Sequence, residues 1–188
     1  MNPNDFLKNV LSDVKVDISE EFDRNFERKS FFTKKWSETK LQNRRGSLLA
    51  RSGKLRRSIM SPKQDPNSVT WSSSLPYATI QNDGGEITVT EKMKRFFWAM
   101  YYKSAGAITK KKDRDDNVVI RETARNKKLS AEAEQWKNLA LMKTGSKMKI
   151  EKRQFIGDHP IVRERIEDIV ALNMKELEQY FYNELKQK

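Results

Sequence analysis

Across 188 residues the chain carries 38 Lys plus Arg against 26 Asp plus Glu, a formal charge of +12, with one His and no Cys. That length makes one domain the default. The missing cysteines exclude a disulfide scaffold, thiolate zinc sites and cysteine nucleophiles, and no apolar run approaches the roughly 18 residues of a membrane span. Hydrophobic residues are sparse at 36%, but four Trp, nine Phe and five Tyr supply large buriable side chains, which sets the chain apart from a disordered one. Met1 to Val10 lacks the basic-then-apolar order of a signal peptide, so a soluble protein made in the cytosol is expected.

Phe6, Val10, Val14, Ile18, Phe22 and Phe26 recur every four residues with polar residues between, the pattern of an amphipathic helix. Asn2 suits its N-cap, Pro3 its first helical position, and Asp5 the positive end of its dipole. Burying six such side chains at ~1.5 to 3 kcal/mol each gives roughly 10 kcal/mol as an upper estimate, so this helix must dock on something. Ser30 to Ser52 reads as a basic connecting loop, with Phe31, Phe32 and Trp36 as apolar anchors and Asn43 to Gly46 as an exposed turn.

A short hairpin is expected over Ile59 to Trp71, because Val69 and Trp71 alternate with Thr70 and Ser72. Pro76 opens a short element, Tyr77 to Asp83, that Gly84 and Gly85 stop through their access to positive φ. Thr90 to Lys103 has Met93, Phe96, Phe97, Met100 and Tyr101 at helical spacing, with Trp98 broadening the stripe. Ser104 to Leu129, rich in Lys and Asp, is expected to be a mobile charged loop. A further helix is predicted over Ser130 to Met142 with Ser130 as N-cap, ended by Gly145. Pro160 opens the last helix, whose Val162, Ile166, Ile169, Val170, Leu177, Phe181 and Leu185 follow the helical period and whose expected partner is the first helix.

Charge is unevenly spread. Residues 1–85 carry 15 basic and 10 acidic side chains, residues 86–154 carry 18 and 9, and residues 155–188 carry 5 and 7. Pro3 to Glu27 holds seven acids and three bases, whereas Arg28 to Arg57 holds eleven bases and only Glu38 as an acid. Such separation suits docking of one copy's acidic face on another copy's basic face. Nonspecific binding of nucleic acid through phosphates is the alternative reading of +12. Around Arg44 to Arg57 no aromatics are interleaved to stack bases.

Catalytic patterns fail on inspection. His159 is the only histidine and immediately precedes Pro160, so a His-based triad or a two-His metal site has at most one candidate member, and a helix-entry role is the expected one. Asp113, Asp115 and Asn117 imitate the start of a calcium loop, but Val118 replaces its required Gly and Ala124 its bidentate Glu. Thr144 to Lys147 resembles a fragment of a phosphate loop without the upstream Gly, and Met148 stands where Ser or Thr is needed. The chain is expected to have no catalytic, metal-binding or cofactor-binding residues.

The run Leu48-Leu49-Ala50-Arg51-Ser52-Gly53-Lys54-Leu55-Arg56-Arg57-Ser58-Ile59 is followed by Leu75-Pro76-Tyr77-Ala78-Thr79-Ile80-Gln81-Asn82-Asp83-Gly84-Gly85. Together with Arg153-Gln154-Phe155-Ile156-Gly157, these blocks resemble the phage virion morphogenesis family, whose members are tail-completion or head-tail joining proteins. Asp83, where an aromatic often stands, and Gln154, where a proline-like residue often stands, depart from the pattern.

The resemblance covers Leu48 to Gly85 and Arg153 to Gly157 and implies that residues 86–152 are a helical, basic insertion in a single domain of residues 1–188. It also implies a non-enzymatic neck component, built into the virion after assembly in the host cytoplasm. That component would act as a homo-oligomeric ring among other neck and tail proteins, with nonspecific DNA contact and no membrane, and would be monomeric when isolated. Arg51, Lys54, Arg56 and Arg57 are the candidates for partner contact, since cations so close repel unless something acidic compensates. Gly53, Leu55, Ser58, Pro76, Tyr77, Gly84, Gly85, Phe155 and Gly157 are the structural motif. Gly53 would turn the chain into a strand with Lys54, Arg56 and Ser58 on one face. Tyr77 would anchor the short element over the sheet. The expected fold is α+β, a small antiparallel β-sheet packed by long N- and C-terminal α-helices.

Overall fold

A computed structural model describes residues 5–38, 48–50, 52–59 and 62–186. In chain order the elements are α1 (Phe6–Arg28), β1 (Ser30–Phe31), β2 (Lys34–Lys35), α2 (Lys54–Ile59), β3 (Lys63–Asp65), β4 (Ser68–Thr70), α3 (Ala78–Asp83) and β5 (Gly85–Thr88). They continue as α4 (Glu91–Gly106), β6 (Lys110–Lys112), β7 (Val118–Ile120), α5 (Ala124–Ala140), β8 (Lys147–Ile150) and α6 (Pro160–Lys186). The fold is α+β with long helices at both ends. Among the described residues its β structure is four separate antiparallel pairs, β1–β2, β3–β4, β5–β8 and β6–β7, rather than one shared sheet. Asn2, Pro3, the turn at Asn43 to Gly46 and Arg51 lie outside the described residues.

The described residues divide into two compact units, one drawn from residues 5–38, 48–84 and 151–186, the other from residues 85–150. In the first unit the four-residue spacing of α1 buries Val10, Val14, Ile18, Phe22 and Phe26 on one stripe. The upper part of that stripe packs with Phe31, Phe32 and Val162, supported by Ile166, Ile169 and Val170 of α6. The two helices run antiparallel, because Asp13 of α1 meets Asn173 at 2.9 Å while Asp17 and Glu21 both meet Arg165 at 2.8 Å. The lower part of the stripe belongs to a second cluster, in which Phe26 joins Trp36, Leu55, Ile59, Ala78 and Phe155.

Polar groups in this core are used rather than tolerated. Asn25, fully buried, donates to the Phe155 carbonyl at 3.2 Å and accepts from the Phe32 amide at 3.0 Å, so one side chain ties α1 to both the β1–β2 turn and the segment before α6. Trp36 Nε1 donates to the Gln154 carbonyl at 2.6 Å, and Trp71 Nε1 to Ser19 Oγ at 2.9 Å. His159 takes the helix-entry position, accepting from the Ile161 amide through Nδ1 at 3.2 Å, with its ring stacked on Phe32 at 4.4 Å. Buried Glu21 is held by Arg24, Arg28 and Arg165, the multiple pairing that a carboxylate removed from water requires.

In the second unit α4 and α5 pack through Phe97, Leu129, Ala133 and Ala140, with Trp136 against Phe96 and Phe97. Here the chain departs most from expectation. Ser104 to Leu129 is not a mobile charged loop: it contains the end of α4, the β6–β7 hairpin and the start of α5. In the hairpin turn the Asp113 carboxylate accepts from the amides of Asp115 and Asn117, each at 2.9 Å, so the residues that imitate a calcium loop form an Asx-type turn. Thr123, not Ser130, caps α5, accepting from the Asn126 amide at 3.1 Å; Ser130 lies inside the helix, which ends at Ala140 rather than Met142. Thr90 caps α4 in the same manner.

Candidate functional site

The residues singled out between Leu48 and Gly157 fall into two groups, one structural and one exposed. Gly53, at φ +66°, turns the chain into a helix rather than a strand, so Lys54, Arg56 and Ser58 do not share a face. Leu55 and Ile59 do share one, four residues apart, and both are buried. The hairpin expected from Ile59 is shorter, β3–β4, and Ile59 itself closes α2. Ser58 Oγ donates to the Leu55 carbonyl and lies 2.7 Å from Ser73 Oγ, linking α2 to the approach to α3.

The first block meets the last. Leu55, Ile59 and Ala78 share a core with Phe155, which is 1% exposed. Asn82 Oδ1 accepts from the amides of Phe155 and Ile156 at 2.9 and 3.2 Å, and the Gln81 carbonyl accepts from the Arg153 amide at 2.8 Å. Gly84, at φ +74° and ψ −171°, occupies a region essentially reserved for glycine, and a Cβ there would stand 2.9 Å from the Lys152 amide nitrogen. Gly157 also has positive φ, beside the Gln154 side chain, and Gly85 begins β5. Pro76 is exposed. Tyr77 is not an anchor over a sheet: it precedes α3 with 42% of its surface exposed, and Ala78 takes the buried place. Asn25 and Asn82, which hold the backbone at Phe155 from α1 and α3, carry no mark in the sequence, since an interior Asn on a helix reads as a solvent-facing one.

The basic candidates separate. Arg56 is engaged by Asp23 and, at 2.8 Å, by Glu27; these hydrogen bonds from α1 push its pKa above the usual arginine value. The compensating acid for this cluster is therefore within the chain. Arg57 is exposed and bonded to the Ser52 carbonyl at 3.0 Å, and Lys54 is exposed. The acids of α1 are largely consumed in the same way. Of the seven up to Glu27, six are engaged: Asp13 by Asn173, Asp17 and Glu21 by Arg165, Glu20 and Glu21 by Arg24, and Asp23 and Glu27 by Arg56. Helix α1 is thus not a free acidic face awaiting another copy.

At the entry to α6, Arg163 hydrogen bonds to Asp158 and holds its carboxyl below the ordinary range. A depressed carboxyl adds stability above its unfolded pKa and loses it as pH falls through the lower folded value. In Arg163→Ala the Asp158 carboxyl, followed by NMR titration, is expected to return to the ordinary range; an unchanged midpoint would contradict this assignment. Among the described residues no group of three His, Cys, Asp or Glu is placed to hold a metal ion, and no helix is long and apolar enough to cross a membrane.

No family model, no curated protein and no solved structure matches the chain.

Proposed function

We propose that this chain is a non-enzymatic virion assembly protein of a tailed phage or prophage, a tail-completion or head-tail joining component of the neck that works as a homo-oligomeric ring. The observation that carries this reading is the convergence of the separated blocks: Leu55, Ile59 and Ala78 lie in one core with Phe155, and Asn82 bonds the backbone at Phe155 and Ile156. Residues that resemble the family's pattern thus lie together in one packed cluster, which supports the reading.

The far half of α6 supports an assembly role. Met174, Phe181 and Leu185 share one side of the helix with Leu177, and Leu185 is 75% exposed. The apolar pattern of α6 therefore continues well beyond its contact with Val10 to Phe22 of α1. Exposed apolar stripes of this kind mark surfaces that another protein covers. Lys54 and Arg57 are further contact points, available to neck and tail proteins.

Deleting the reading frame from the phage that carries it tests the proposal. Filled heads and complete but unattached tails are expected, with the protein located at the neck of wild-type particles by cryo-electron microscopy. Joined, infectious particles without it, together with its absence from purified virions, would overturn the reading.

A further inference from the structure

We propose that residues 85–150 carry a binding surface for single-stranded nucleic acid, built on Trp98, Tyr101 and Tyr102 of α4 with Lys94 and Arg95 beside them. This inference does not depend on the neck assignment. Spacing places the five residues together: Trp98, Tyr101 and Tyr102 stand at i, i+3 and i+4, and Lys94 and Arg95 one turn earlier, to one side of the stripe through which Phe97 and Ser104 are buried. The rings form a cluster of their own. Trp98 and Tyr102 lie nearly parallel, at 27° and 5.9 Å, while Tyr101 meets Trp98 edge-on at 5.6 Å. Tyr102 is 65% exposed. Three aromatic rings clustered partly at the surface need an occupant, as large exposed apolar groups in contact generally do.

Charge identifies the occupant. Residues 85–150 hold sixteen basic and eight acidic side chains. Among the described residues no ion pair engages Lys94, Arg95, Lys110 or Lys111, whereas Asp17, Glu20, Glu21, Asp23 and Glu27 of α1 are matched by arginines of their own unit. Strand β6, three lysines in succession, is exposed along its whole length and follows α4 after three residues. A partner that brings negative charge and also offers flat faces to the rings fits this surface. A single strand of nucleic acid supplies both in each repeat, a phosphate and an unpaired base, and base-on-aromatic stacking tolerates any sequence. A duplex hides its base faces, and a carboxylate-rich protein surface has none.

The test uses the full chain and a fluorescein-labelled 20-nucleotide oligothymidine, followed by anisotropy across a salt series. Binding is expected to weaken steeply with salt, to exceed that of a duplex of equal length, and to quench tryptophan fluorescence in wild type more than in Trp98→Phe. The double variant Trp98→Ala/Tyr102→Ala is expected to lose at least about tenfold in affinity. Its circular dichroism melt, unchanged from wild type, separates lost binding from lost folding. The variant Lys110→Glu/Lys111→Glu gives a second reading through a shallower salt dependence. No binding at low salt overturns the proposal. So does duplex binding that the ring variant leaves intact, which would mean phosphate contact alone, and so does DNA-independent self-association abolished by the ring variant, which would make a second copy the occupant. Particle assembly is untouched by any of these outcomes, so failure here and failure of the neck reading are distinguishable.

Discussion

Phe155→Ala is expected to lower stability by about 4 kcal/mol, the mid-range for truncating a buried aromatic. Phe155 is 1% exposed and lies 5.3 Å from the Phe26 ring, in a cluster that also takes Leu55, Ile59, Ala78 and Trp36. Its backbone is fixed independently, by Asn25 on the carbonyl and Asn82 on the amide, so the chain is poorly able to collapse into the vacated space. A loss of that size corresponds to a fall in melting temperature of roughly 8 to 16 °C in a chain this long. Urea unfolding with Phe181→Ala as the comparison checks it, because the Phe181 ring is half-exposed near the end of α6 and its truncation is expected to cost about 1 kcal/mol or less. Equal effects of the two substitutions would show that Phe155 does not join the two blocks as described.

The second large effect is expected in the other unit. Asn126, 1% exposed, accepts from the Thr109 amide at 3.1 Å and donates to the carbonyls of Thr109 and Arg121, each at 2.8 Å. One side chain on α5 thus grips both ends of the β6–β7 hairpin. Asn126→Ala leaves the Thr109 amide without that acceptor and removes one of two donors from the Arg121 carbonyl, which keeps the Thr123 amide at 2.9 Å, so the loss is expected to be about 1 to 3 kcal/mol in all. Hydrogen exchange is the informative measurement. Amides from Thr109 to Arg121 are expected to lose protection first, while those around Phe32 and Phe155 keep theirs. Asn126→Asp should resemble the alanine variant, since a carboxylate cannot donate to Arg121. Undiminished hairpin protection in both variants would refute the role.

These two residues also mark where the sequence was readable and where it was not. The stripe from Val10 to Phe26 and the entry of α6 at Pro160 each follow from spacing and local chemistry, because helix geometry alone determines them. The β6–β7 hairpin escaped notice because its stability comes from Asn126 across the gap rather than from apolar alternation; Val118 to Ile120 is too short a run to stand out beside three lysines and three aspartates. Thr123 lost to Ser130 as the cap of α5 because two acids soon after Ser130 imitate a first helical turn, although Glu132 is in fact buried within the helix. The strand expected after Gly53 failed for a related reason: six residues are too few for periodicity to decide, and pairing of Arg56 with Asp23 and Glu27 of α1 favours the helical arrangement. For the candidate surface, single aromatics were visible in the sequence. Their mutual packing, and the lack of an ion pair at Lys94, Arg95, Lys110 and Lys111 among the described residues, are properties of the folded chain.

The way residues 85–150 are attached has a consequence for how this protein can vary. Gly85 pairs with Ile150 in β5–β8, and just outside that pair Gly84 lies against the backbone of Lys152 while Gln81 bonds Arg153. Departure and return therefore share one doorway. A stretch tethered by such a two-stranded stem can be lengthened, exchanged or deleted down to a tight turn without rethreading the polypeptide around it, since closing a longer surface excursion costs only about 0.6 kcal/mol per doubling. The surrounding scaffold is free to hold its form while the appended portion diverges, so two selective pressures can act on one chain with little conflict between them.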